Sequence, residues 1–450
     1  MLEIRNFFEL TLIISIFSLV VLRKINLLQA YAFFIPFYGI DYDVGVRYTI
    51  SQLILLILNV LFFISIFSKT DFIKLKGLNT SIILFLLYAF VSSFLLSTFL
   101  IEFIPTKNSG FLRNEGRYIS QIINYSLLFS IFYIIYYNIN TKKEVIILLK
   151  YFLFGIITIS SIGILQEIIY ITIGIDITPL YREDYSIRNA AIFNYFGLPL
   201  IRINSLAGEP KSLGMFASIG IIILKVLRTL NIKLFNNQFN YSVLFFITLI
   251  LTLSSSGFLL LALLWVLSEI ILRYFKMIPS ITIGKFFSWI LTGIFIIVFS
   301  DSLDNIINDR ITEREKIEDF DAVIIESLKY NPKYLVFGSG LGNIHNIAYK
   351  YTGQFENLNF MEDNIFVAKS GYLRIISETG IIGFFLFLIF NGQTILSAFV
   401  HYYQNKFTIM ALFASLSVIA FISFLARTYL TEFYLFTMAA TNVLIKKQLF

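Results

Sequence analysis

The sequence predicts an all-α, polytopic membrane protein, and three observations indicate this fold class. The chain has 450 residues, of which 58% are hydrophobic and only 14% are charged, whereas soluble domains carry about 25% charged residues. Its mean hydropathy is +0.81. Apolar runs of ~20 residues, the length that crosses a hydrocarbon core of ~30 Å, recur from one end of the sequence to the other.

Residue counts exclude several chemistries. The chain has 0 cysteines, which excludes disulfides, iron–sulfur clusters, thiolate nucleophiles and cysteine-ligated zinc. Its 2 histidines cannot form a three-histidine zinc site. Two Asp-x-Asp pairs, Asp41/Asp43 and Asp319/Asp321, are of the type that binds hard cations, but such pairs often arise by coincidence. We therefore predict no metal and no cofactor.

The net charge of +7 is not arranged as a basic stripe with interleaved aromatic residues. It therefore indicates a lipid bilayer, not nucleic acid, as the partner. Basic residues in short loops collect on the cytoplasmic side of a membrane, and here they concentrate on the side of Lys142, Lys225 and Arg273. This side and the C-terminus are predicted to be cytoplasmic.

The apolar runs predict about thirteen transmembrane helices, or one fewer, in a single membrane domain spanning 1–450. The first run has no small-residue cleavage site behind it, so we expect a retained anchor. Ser254–Gly257 either separates two helices or breaks one long helix. The predicted ranges are 7–22, 25–40, 47–68, 80–101, 118–137, 145–174, 212–229, 241–253, 257–272, 286–300, 373–398, 407–425 and 428–445.

Two long polar segments, 176–211 and 301–372, are then extracytoplasmic loops. Long segments in a compact protein usually carry function, so we expect the substrate to be met there. The first loop ends in charged residues beside a predicted helix start, where Pro210 is well tolerated.

In that cluster, the helix dipole, Lys211 and Arg202 would together attract an anion such as a phosphate. The alternative is an ion pair between Arg202 and Glu209 that only anchors the loop. Arg188 lies earlier in the same loop and is either a further anion ligand or a solvated surface residue.

The second loop contains two candidates. Gly338-Ser-Gly-Leu-Gly342 is predicted to form a tight turn with positive φ angles. The alternative is a set of backbone amides that holds a phosphate, although the Lys-Ser/Thr ending of a P-loop is missing. His345 is either a base near neutral pH or a solvated loop residue.

The segment from Ser370 into the next helix is the most distinctive. Glu378 lies inside the predicted membrane edge, where a carboxylate is costly unless it is paired or faces a water-filled cavity. Arg374, one helical turn earlier, is the predicted partner. Gly380 and Gly383 are expected to allow close packing of helices.

These residues resemble the O-antigen polymerase and ligase superfamily of bacterial envelope glycan assembly. Similar proteins show an arginine followed by Glu-Pro, as in Arg202…Glu209-Pro210, and then a Gly-x-Gly-x-Gly turn, as in Gly338–Gly342. They also show a Tyr-Leu-x-x-x-x-Glu-x-Gly-x-x-Gly helix entry, as in Tyr372–Gly383. The helix count and the position of the large loop are similar as well.

Two departures favour a polymerase within that superfamily. Ligases typically have His-Asn where this chain has Ser370-Gly371. They also tend to have Ser-Arg-Gly where this chain has Ser255–Gly257.

The resemblance implies a glycosyltransferase of the bacterial inner (plasma) membrane. It would polymerise polyprenyl-pyrophosphate-linked oligosaccharide repeat units into O-antigen or capsular polysaccharide on the outer face. One lipid-linked glycan would be the donor and another the acceptor, and polyprenyl pyrophosphate would leave. A chain-length regulator and a flippase are implied as further partners. The alternatives are an O-antigen ligase and a lipid-linked oligosaccharide flippase.

The resemblance also implies roles for particular residues. Arginines would stabilise the leaving pyrophosphate, with Arg202 as the first choice and Lys211 and Arg188 behind it. Glu209 or Glu378 would be the base that receives the proton of the acceptor hydroxyl. The remaining substrate-binding candidates are Tyr372, Arg374 and His345.

Overall fold

A computed structural model contains the predicted helical membrane body. It describes residues 26–43, 47–67, 79–99, 116–174, 192–195, 198–275, 320–330, 332–351 and 368–449, and positions 14, 15, 18 and 20. Within these ranges, 7 helices are long and apolar enough to cross a membrane. The chain is therefore an all-α, polytopic membrane protein.

The described helices follow one another with two short strand pairs between them. β1 (Asp41–Asp43) pairs antiparallel with β2 (Arg47–Thr49), and β3 (Ile192–Tyr195) pairs antiparallel with β4 (Leu198–Ile201). The helices are α1 (Leu27–Phe34), α2 (Ile50–Phe67), α3 (Thr80–Phe99), α4 (Arg117–Phe129), α5 (Ile131–Asn138), α6 (Lys142–Ile173), α7 (Pro210–Thr229), α8 (Gln238–Leu251), α9 (Ser255–Tyr274), α10 (Phe320–Tyr330), α11 (Pro332–Phe337), α12 (Ile344–Tyr351), α13 (Gly371–Asn405), α14 (Thr408–Ala426) and α15 (Thr431–Lys447).

The second predicted helix, 25–40, is wrong in its length. α1 ends at Phe34, the chain turns, and β1 follows. Pro36 explains the ending because it has no N–H with which to continue the helical hydrogen bonds. Of the other predicted helices, 7–22 lies largely outside the described residues and 286–300 lies wholly outside them.

The segment around Ser254 separates two helices, and the alternative of one long broken helix is wrong. Leu253 has a φ of 45°, and the Ser254 hydroxyl caps α9 by accepting from the Gly257 amide at 3.2 Å. α8 and α9 both pack on α7. Their approach is close, because a Cβ on Gly257 would lie 3.0 Å from the carbonyl carbon of Gly214.

The bundle has two opposite ends, each formed by helix termini and the loops that join them. At one, which we call the loop end, α3 and α6 finish and α7 and α13 begin, and the Thr428 amide donates to the Lys369 carbonyl at 3.0 Å. At the other, the basic end, Lys447 Nζ donates to the Ile139 carbonyl at 2.6 Å. The candidate residues lie at the loop end.

Lys225 lies inside α7, as the predicted helix 212–229 has it, so it does not belong among the basic residues of the short loops. Its Nζ is 2.7 Å from Glu269 Oε1, donates to Ser268 Oγ at 2.9 Å and lies 3.9 Å from the Trp265 ring centroid. The pairing accounts for its burial, because a charge among apolar helices is costly unless it is paired.

Candidate active site at the loop end

Two segments that the sequence singles out meet at the loop end: the Gly338–Gly342 turn packs against α13. α13 is interrupted at Gly380, whose φ is 68° and ψ −177°. The interruption removes the usual helical donors from the carbonyls of Ser377 and Glu378. The amides of Ser339 and Gly340 donate to these two carbonyls, at 2.8 and 2.9 Å.

The turn itself has the predicted conformation. Gly338, Gly340 and Gly342 have φ angles of 83°, 82° and 77°, which confirms a tight turn that favours glycine. The amides of Gly338, Leu341 and Gly342 donate to Tyr334 O at 2.9 Å, Ser93 Oγ at 2.8 Å and Glu378 Oε1 at 3.4 Å. Every amide of the turn is thus bonded to the protein, so the phosphate-holding alternative is wrong.

Glu378 is buried with the partner that its spacing predicts. Its side chain is 2% exposed, and Arg374 Nε lies 3.4 Å from Oε1. Tyr125 donates its hydroxyl to Oε2 at 3.0 Å. Arg374 Nη2 donates to Gln121 Oε1 at 3.2 Å, so Glu378 and Gln121 together fix the plane of the guanidinium.

The contribution of α4 to this cluster is missing from the sequence prediction. Arg117, Gln121 and Tyr125 follow one another at intervals of four residues, so they share one helical face. The side chain of Arg117 packs on the turn, since a Cβ on Gly342 would lie 3.2 Å from Arg117 Cγ. This spacing of long polar side chains on one helical face is the signal that identifies them.

His345 lies on α12 and is buried, with 3% of its surface exposed. The solvated alternative is therefore wrong. Burial is the main cause that lowers its pKa from 6.5 to about 4, and the positive charge of Arg117 lowers it further. His345 is neutral near pH 7.

A cavity of about 260 Å³ opens beside this cluster. The residues that line it include Arg374, Tyr125, Tyr38, Thr49 and Glu432. Glu432 belongs to the first turn of α15 and is missing from the sequence prediction. Its contact with the cavity depends on residues distant in sequence.

The first-loop candidates lie apart from the cavity. Arg202 is half-buried and donates from Nε to the Thr252 carbonyl at 3.2 Å. Glu209 is the N-cap residue of α7, and Lys211 follows in its first turn. Among the described residues, no ion pair joins Arg202 to Glu209, and none of these three side chains lines the cavity.

A backbone contact connects the two regions. The Gly39 amide donates to the Leu206 carbonyl at 3.0 Å, and Gly39 packs directly on Gly208. Gly39 follows Tyr38, which lines the cavity, and Gly208 precedes Glu209. The first-loop cluster is therefore a neighbour of the cavity wall and not part of it.

The remaining predicted residues are Arg188 and Tyr372. Arg188 lies outside the described residues. Tyr372 is 46% exposed near the start of α13 and is not among the cavity residues.

The cavity combines a positioned guanidinium, a carboxylate and aromatic rings, a set that suits an anionic phosphate group and a hydroxyl. Within the described ranges, no group of three or more His, Cys, Asp or Glu side chains comes together as a metal site would require. No family model matches this chain, and no curated protein matches it either.

Proposed function

We propose that this protein polymerises polyprenyl-pyrophosphate-linked oligosaccharide repeat units at the outer face of a bacterial inner membrane. The observation that supports this most is Arg374, which is fixed by Glu378 and lines the cavity at the loop end. A cation held at the edge of an apolar helical body suits a substrate with a pyrophosphate between a lipid and a glycan.

The guanidinium is suited to the leaving group. It has five N–H donors in a planar fork, and its contacts with Glu378 and Gln121 use only some of them. Bidentate hydrogen bonds to two phosphate oxygens stabilise the charge that develops as the pyrophosphate leaves. We therefore propose Arg374 for the role that the resemblance implies first for Arg202.

Aromatic residues supply the neighbouring walls. The rings of Tyr38 and Tyr429 pack edge-on, with centroids 5.1 Å apart, and both line the cavity. Such rings present an apolar face and a polar tip, which suits a sugar ring on one side and its hydroxyl groups on the other.

The test is polymerisation by purified protein in liposomes, with lipid-linked repeat units extracted from cells that lack the protein. We expect a ladder of glycan lengths and release of polyprenyl pyrophosphate. Arg374→Lys keeps the charge but loses the bidentate fork, so its rate should fall by roughly 10²-fold. Arg228→Lys, at an exposed position of α7, is the matched control and should keep the wild-type rate.

Other products would contradict the proposal. Transfer of a glycan only to an added lipid core would identify a ligase. Movement of single repeat units across the bilayer without chain growth would identify a flippase. If Arg202→Lys abolishes the ladder and Arg374→Lys keeps the wild-type rate, then Arg202 of the first loop, and not Arg374, binds the pyrophosphate.

A further inference from the structure

Glu432 has the geometry of a carboxylate prepared for a ligand. It is 6% exposed, and its Oε1 accepts a hydrogen bond from Thr49 Oγ1 at 3.0 Å. Its Oε2 has no hydrogen-bond partner in the part of the chain that the structure describes. A buried carboxylate oxygen without a donor is costly, and the residue lines the cavity that also contains Arg374.

Burial disfavours the charged form of this carboxylate, and two features offset that cost. Glu432 lies in the first turn of α15, where the helix dipole stabilises a negative charge. Thr49 holds Oε1 in place and lies 2.9 Å from Ser51 Oγ, and the Ser51 hydroxyl also stabilises the carboxylate. One oxygen thus fixes the orientation of the carboxylate, and the other is buried in the wall of the cavity without a donor among the described residues.

The other glutamates fit a proton-accepting role less well. Glu378 has both oxygens occupied, with Arg374 and the Gly342 amide at Oε1 and Tyr125 at Oε2. Glu209 is not among the residues that line the cavity. Of these three carboxylates, only Glu432 combines contact with the cavity and an oxygen without a partner.

We propose that Glu432 is the catalytic base of the polymerisation, an inference that rests on the proposed function. The acceptor sugar hydroxyl donates its proton to Glu432 Oε2 as its oxygen bonds to the anomeric carbon of the donor. The bond between that carbon and the phosphate oxygen breaks, and its electron pair leaves with polyprenyl pyrophosphate beside Arg374. The proton then passes from Glu432 to water.

Several other ionisable groups face Glu432 and belong in any pH analysis. Tyr31 of α1 is close enough to interact electrostatically with it. Tyr38, Tyr429 and Arg374 line the same cavity. At ordinary pKa values the tyrosines stay neutral and the arginine stays cationic between about pH 5 and 8. A fall in rate toward acid pH in that range would therefore report protonation of the carboxylate.

The experiment compares Glu432→Gln with wild type in the liposome assay. The glutamine keeps the size of the side chain and its contact with Thr49, but it cannot take the proton. We expect kcat to fall by about 10²–10⁴-fold, KM for the lipid-linked donor to change by less than about threefold, and the acid limb of the pH–rate profile to disappear. Glu432→Asp should be slower than wild type and keep the acid limb.

Glu326→Gln, at an exposed position of α10, is the matched control and should keep the wild-type rate and profile. A wild-type rate or an unchanged acid limb in Glu432→Gln would overturn the assignment while leaving the polymerase proposal intact. If KM rises and protein abundance falls to the same extent in Glu432→Gln and Glu432→Asp, the role of the residue is structural. That result would also overturn the assignment of Glu432 as the base. Absence of polymer from the wild-type protein would remove the proposed function, and this inference with it.

Discussion

At the scale of single residues, two buried carboxylates near one cavity differ in what surrounds them. Glu378 is saturated by Arg374, Tyr125 and the Gly342 amide, so we infer that it positions the arginine and takes no proton itself. Glu432 has one oxygen bonded to Thr49 and one without a partner among the described residues. Neighbouring donors, more than the residue type, determine which carboxylate can do chemistry.

His345 gives a prediction about pH and stability. Its pKa is lowered from 6.5 to about 4, first by burial and then by Arg117. Between these two pKa values the unfolded state binds more protons than the folded state. The stability that the neutral imidazole contributes is therefore fully present above pH 6.5 and is lost as the pH falls toward 4. A shift of this size corresponds to about 3 kcal/mol.

We therefore expect His345→Gln to lose less thermal stability than wild type when the pH is lowered from about 7.5 to about 4.5. The measurement is the Tm of the purified protein in detergent at the two pH values. His401→Gln, on α13 at the basic end, is the control for removing an imidazole. Equal falls in Tm for wild type and His345→Gln would contradict the prediction.

At the scale of elements, the interruption of α13 and the glycine turn form one unit. Breaking a helix leaves carbonyls without donors, and here the amides of Ser339 and Gly340 replace the missing donors. The unit also places the Gly342 amide on Glu378, which holds Arg374. The second long loop thereby influences the orientation of Arg374, the residue proposed to bind the pyrophosphate.

Gly380→Ala tests this coupling. A side chain at a φ of 68° is strained, and the new Cβ would clash with the carbonyl oxygen of Val336. We expect a loss of roughly 2–4 kcal/mol in stability and a large loss of polymerisation. Gly392→Ala is the control in the same helix, because open space surrounds that position, and it should be neutral or stabilising by up to ~1 kcal/mol. Wild-type Tm and activity in Gly380→Ala would contradict this account.

At the scale of the whole molecule, the sequence predicts what depends on local composition. Span-length apolar runs predict helices because the bilayer sets their length, and Arg374 with Glu378 is predicted because the two residues are one turn apart. The contact of Glu432 with Thr49 joins residues 383 positions apart in sequence, and no periodic pattern indicates such a contact. The sequence does not predict the strands or the early end of α1, because short turns interrupt a helical pattern without a strong signal of their own.

The last prediction concerns the orientation of the whole molecule. Basic residues concentrate at the end opposite the cavity, so the cavity should face away from the cytoplasm. The chain has 0 cysteines, so a single introduced cysteine can be labelled without background. Tyr330→Cys, at a position 66% exposed on α10 at the loop end, should react with a membrane-impermeant maleimide in intact spheroplasts. Gln404→Cys, at an exposed position of α13 at the basic end, should react only after lysis. The reverse labelling pattern would place the cavity on the cytoplasmic side, where outward-facing lipid-linked repeat units could not reach it, and would contradict both the orientation and the proposed reaction.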